Sequence, residues 1–136
     1  MAIIVRDIQD KEILLKDLCS RLPYGVMVRE DTVLYDDENT TSHRIKKLSY
    51  VQIGKAFSRI KGFMHDYEYI YIPYLFPLSS MTEEQKREQE THFTCIKHDM
   101  SFSICRYMEW CYKNHLDING LIPKGLAIDA TGLNIY

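Results

Sequence analysis

The chain has 136 residues, 46% hydrophobic and 26% charged, with a formal net charge of -2. That length fits one ordinary domain, and the composition excludes disordered, collagen-like and coiled-coil chains. The charge excludes a uniformly basic nucleic-acid binder and an acidic solvating tail. The apolar start of MAIIVRDIQDKE ends at Arg6, too short for a signal-peptide core or a membrane span. A cytoplasmic protein is the expectation. The four cysteines, Cys19, Cys95, Cys105 and Cys111, then read as reduced, small apolar side chains rather than a disulfide frame.

In chain order, DKEILLKDLCSRL (residues 10–22) puts Ile13, Leu14, Leu18 and Leu22 on one helical stripe. Asp10 is the expected cap, and Pro23 the expected stop. From residue 24 to 78 the period changes to that of strands: GVMVRE (25–30), DTVLYD (31–36), HRIKKLSYVQI (43–53), FSRIKGF (57–63) and YEYIYIPYL (67–75). Turn signals fall at Glu30-Asp31, at Asp36-Asp37-Glu38-Asn39, at Gly54-Lys55 and at His65-Asp66. Short runs at this spacing predict a small antiparallel sheet, closed like an SH3 barrel or curled. Pro73 and Pro77 mark its exit.

Thr82 with Glu83, Glu84 and Gln85 has the form of a capping box, opening the polar surface helix TEEQKREQETHF. SFSICRYMEWCYKNH (101–115) predicts a better buried helix, with Phe102, Cys105, Met108 and Tyr112 inward and Ile104 and Cys111 at the margin. The tail from Leu116 to Tyr136 reads as irregular chain packed back on the domain. The whole is α+β, one domain over residues 1–136.

Charge placement is the sharpest functional signal. Arg44, Lys46, Lys47, Lys55, Arg59 and Lys61 fall between Asn39 and His65 with no acid among them, and the rest of the chain runs at -8. Arg44 and Lys46 share a strand face. With Tyr50, Phe57 and Phe63 nearby, such a face suits a phosphate backbone or a nucleotide whose base stacks on an aromatic ring. If it is a free surface, reversing Lys46 and Arg59 to Glu abolishes binding and leaves the melting temperature nearly unchanged. Tyr107 and Trp110 form another helical face, either a protein-partner surface or a second buried side.

Catalytic and metal patterns are weaker. His92, Cys95 and His98 stand at helical spacing, with Cys105, Cys111 and His115 downstream, but no CxxC pair accompanies them. The expectation is no bound metal and no cofactor. Ser79 and Ser80 lack a nucleophile elbow, and KGLAIDATG lacks a phosphate-loop spacing, so no catalytic residue is assigned.

The segments PYLFPLSSMTEEQ (73–85) and GLIPKGLAIDATGLNIY (120–136), with the first ~25 residues, carry a resemblance. The chain resembles an uncharacterised family of small proteins from gut anaerobic bacteria and their phages or prophages. What the resemblance implies is an accessory binder rather than a metabolic enzyme, of a kind that includes inhibitors of host defence and proteins sequestering nucleotide signals. The functional expectation is a small binding protein for an anionic ligand, with a protein-interaction accessory and a small cysteine- or metal-dependent enzyme as alternatives.

Overall fold

Asp7 caps the first helix, α1 (Ile8–Arg21), its carboxylate accepting the Gln9 N–H at 2.7 Å, so the cap lies three residues before the expected one at Asp10. The contact satisfies an amide that helix geometry leaves without a partner. The computed structural model describes residues 7–35, 40–98 and 100–136. The expected stripe is inward: Leu14 and Leu18 are fully buried, and Ile13 and Leu22 pack against the core. Pro23 does not simply stop the helix. It lies in a 3-10 turn, Leu22–Tyr24, and Gly25 at φ 72° turns the chain into the sheet.

The sheet consists of β1 (Met27–Leu34), β2 (Thr40–Lys47), β3 (Tyr67–Leu75) and β4 (Ile128–Asp129), in the order β2-β1-β3-β4. The first three strands pair antiparallel, while β4 runs parallel to β3. It is therefore a mixed, curled sheet and not a closed barrel. β2 keeps an outer edge, and the far side of β3 is taken by β4 and by bridges from Ala56 and Ile60.

Several predicted strands change form. Residues 25–30 and 31–36 do not turn at Glu30-Asp31, because both residues pair on both sides: Glu30 with Arg44 and Tyr71, Asp31 with His43 and Ile70. The predicted turn at Asp36-Asp37-Glu38-Asn39 lies outside the described residues. The run 43–53 splits after Lys47, and Tyr50–Lys55 forms α2. The Gln52 side-chain oxygen accepts the Ser49 N–H at 2.9 Å, a helix-start contact that competes with further strand. Residues 57–63 form no strand and make one isolated bridge to β3, Ile60 with Tyr67, just after the Ala56 bridge to Tyr69. Pro73 lies within β3, opposite Val28, so the sheet continues past it to Leu75.

Thr82 caps α3 (Glu83–His98) as the sequence predicts. Its hydroxyl accepts the Gln85 N–H at 3.1 Å, and Gln85 Oε1 accepts the Thr82 N–H at 3.0 Å. No described residue of α3 is buried. The following helix, α4 (Met100–Lys113), corrects the prediction: Phe102, Cys105, Ile104 and Met108 are exposed, and Ser103, Cys111 and Tyr112 are buried. The reason is that α4 packs along α3 as a hairpin, and its last turn supplies the side chains buried against Arg21 of α1.

The tail is irregular and packed, apart from β4. The Asp117 carboxylate accepts the N–H groups of Leu121 and Ile122 at 2.8 and 2.9 Å, closing a turn that delivers Leu121 to the core. Among the described residues no helix is long and apolar enough to cross a membrane.

Candidate functional site

Strand alternation on β3 places Tyr67, Tyr69 and Tyr71 on one face. Their rings form a row, with centroids 5.5 Å apart between Tyr67 and Tyr69 and 6.2 Å between Tyr69 and Tyr71. Tyr71 is fully buried and the other two are half-buried, so the row rises from the core toward solvent.

The register carries Glu30 of β1 and Arg44 and Lys46 of β2 onto the same face. Glu30 is buried and accepts from the Tyr71 hydroxyl at 2.9 Å and from Lys46 Nζ at 3.1 Å. Lys55, at the end of α2, reaches over the Tyr69 ring with Nζ 5.5 Å from its centroid. Arg44 approaches from the β2 side, where its charge opposes the rise in the Tyr69 hydroxyl pKa caused first by burial, then by Tyr67 and Glu30. Burial, followed by the bond to Glu30, pushes Tyr71 further up, so both hydroxyls stay protonated as donors.

The six predicted basic residues therefore divide. Arg44, Lys46 and Lys55 meet at the tyrosine row. Lys47 alternates to the opposite face of β2. Arg59 is bound to Asp66 at 2.6 Å and lies over the Tyr35 ring, and Lys61 is exposed beyond the Ile60 bridge. Of the predicted stacking aromatics, Tyr50 and Phe63 are exposed, whereas Phe57 packs against the core.

Two of these pairings overturn the idea of Lys46 and Arg59 as freely reversible charges. Lys46→Glu would set a carboxylate against buried Glu30, and we expect a loss of about 1 to 2 kcal/mol in thermal melts. Lys55→Glu, which breaks no ion pair among the described residues, should cost less than about 0.5 kcal/mol.

Tyr107 and Trp110 do not stand free: they stack at 6.0 Å within the α3–α4 hairpin. The Tyr107 hydroxyl accepts from Gln89, and the Trp110 indole donates to Glu88 at 2.6 Å. Of the candidate metal ligands, His92 packs on those two rings, Cys95 and Cys105 are exposed, and Cys111 is buried with its thiol pushed up by burial. His115 stacks on Tyr136. Among the described residues no three His, Cys, Asp or Glu side chains form a group that could hold a metal ion.

One cluster escaped the sequence reading. On the face of β1 and β2 opposite the tyrosines, fully buried Asp31 accepts Arg29 Nε and Nη2, each at 2.8 Å, and contacts His43 Nδ1 at 2.7 Å. The contact through Nδ1 fixes the orientation of the His43 ring at the edge of the sheet. The available signal was Arg29 and Asp31 two apart in a strand, opposite a histidine.

The chain matches no family model, no curated protein and no solved structure.

Proposed function

We propose that the protein binds a phosphate-bearing ligand, a nucleotide or a nucleic-acid segment, on the tyrosine face. The observation that carries this reading is the convergence of Arg44 and Lys55 on Tyr69 from its two sides. The Lys55 contact with the ring is worth roughly 0.5–1 kcal/mol at an exposed site. A charge-assisted bond to phosphate is stronger, so an incoming phosphate draws Lys55 off the ring and opens it for a base. Glu30 neutralises Lys46, leaving Arg44 and Lys55 as the matching charges for the ligand. The resemblance noted above extends the proposal to a phage- or prophage-encoded accessory protein that sequesters a nucleotide signal of host defence.

Fluorescence anisotropy with a labelled single-stranded oligonucleotide and a labelled nucleotide tests the reading. Kd should rise with salt, with a log–log slope of about one to two for two phosphate contacts. Arg44→Gln and Lys55→Gln should each weaken binding by about tenfold without lowering the melting temperature. Glutamine is chosen at 44 because a glutamate there would face Glu30 across the ladder. Salt-insensitive binding, or full affinity in both variants, would overturn the proposal.

A further inference from the structure

Away from the tyrosine face, an open cavity of about 340 Å³ lies between α1 and the chain around and after the end of α4. Lys16 and Asp17 line it from α1, Tyr112 from α4, and Asn119 and Lys124 from the tail. Its floor is already neutral. Asp17 is 2% exposed, takes two bonds from Arg21, and accepts the Asn119 amide at 2.8 Å, so its charge is cancelled and its oxygens are occupied.

What remains in the cavity is donor chemistry. Lys16 and Lys124 make no ion pair among the described residues. Tyr112 is only 8% exposed, yet its hydroxyl has no hydrogen-bond partner among the described residues and is not sealed from the surface. The phenol therefore keeps a free donor at the lining of the cavity. Two ammonium groups, a phenol and the second Asn119 N–H leave an oxyanion as the complementary group. Two positive charges match a dianion, and the volume lies at the small end of metabolite sites.

We propose that this cavity binds a small phosphomonoester through its dianionic phosphate, held by Lys16 and Lys124 with the Tyr112 hydroxyl donating. The site goes beyond the tyrosine face and shares no residue with it.

The probe is inorganic phosphate, titrated calorimetrically into the full chain at low ionic strength. One phosphate per chain should bind at this cavity, read in an Arg44→Gln background that removes the tyrosine-face contact. Lys124→Gln and Lys16→Gln should each weaken binding roughly tenfold, and Tyr112→Phe about threefold to tenfold. Both lysines are exposed, so their variants should melt as the parent does. Arg44→Gln should leave in place the phosphate binding that Lys124→Gln and Lys16→Gln weaken. No saturable binding below about 20 mM, or unchanged affinity in Lys124→Gln and Lys16→Gln, would overturn the proposal. So would a loss confined to Arg44→Gln, which would assign the anion to the tyrosine face and leave the proposed function standing.

Discussion

Arg21→Met should destabilise the fold by about 3 to 5 kcal/mol, a large part of the roughly 5–15 kcal/mol of a typical domain. The Arg21 side chain is fully buried. Its Nε and Nη2 bind Asp17 at 2.8 and 3.2 Å, Nη2 also donates to the Leu116 carbonyl at 2.8 Å, and the guanidinium lies over the Tyr112 ring. One side chain thus ties α1 to α4 and to the start of the tail. Methionine keeps most of the volume but leaves the Asp17 carboxylate buried, with Asn119 as its remaining donor. The cost comes from that stranded charge more than from the lost attraction. Asp17→Leu combined with Arg21→Met should therefore recover most of the loss. Urea unfolding checks this: the single variant should shift the midpoint strongly at unchanged slope, and the pair should return toward the parent. Equal loss in the single and the pair would mean that the bonds themselves carry the stability.

Arg21 also illustrates what a sequence conceals. The period of α1 and the capping box at Thr82 depend on residues within one or two turns, and both were legible. The buried arginine sits within the apolar stripe itself, seven residues after Leu14 and three after Leu18, and only its partners at Asp17 and Leu116 make burial tolerable. Elsewhere the errors share a cause. Glu30 and Asp31 look like turn residues because two adjacent acids seldom enter a central strand. Here each is neutralised by a partner, Lys46 for one and Arg29 for the other. On α4 the amphipathic stripe was real, but α3 lies along a different side of the helix. Periodicity identifies an apolar face without saying which neighbour arrives.

The candidate site was half legible for the same reason. The acid-free run announced a positive segment, and alternation placed Arg44 and Lys46 together. Its extent in sequence overstated its extent in space, because β2 and the Ile60 bridge lie on opposite sides of β1 and β3. Lys55 joins the site only through α2, which the strand pattern of residues 43–53 hid. The tyrosine row was written openly as YEYIYIPYL. Its role required the register, which sets Glu30 against Tyr71 and brings Arg44 within electrostatic reach of Tyr69.

Acidification should remove up to about 3 kcal/mol of stability through His115 alone between pH 6.5 and 4. The ring stacks on Tyr136 at 3.8 Å, its Nδ1 has no hydrogen-bond partner among the described residues, and Arg21 lies close enough to disfavour a second positive charge. Burial first, and Arg21 second, lower its pKa from 6.5 to about 4. The folded state therefore binds its proton later than the unfolded chain does. Stability from this group is complete above the unfolded pKa of about 6.5 and falls as pH drops, by about 1.4 kcal/mol per unit, until the folded pKa is passed. The slope is assigned to His115 by substitution. His115→Phe keeps a ring against Tyr136 and removes the proton site. Because His115 holds a left-handed φ of 57°, the variant should start from a lower baseline. That offset is independent of pH, whereas the slope between pH 6.5 and 4.5 should flatten by about one proton's worth. A parallel slope in parent and variant would show that His115 is protonated in the fold, and that the stack with Tyr136 does not hold it neutral.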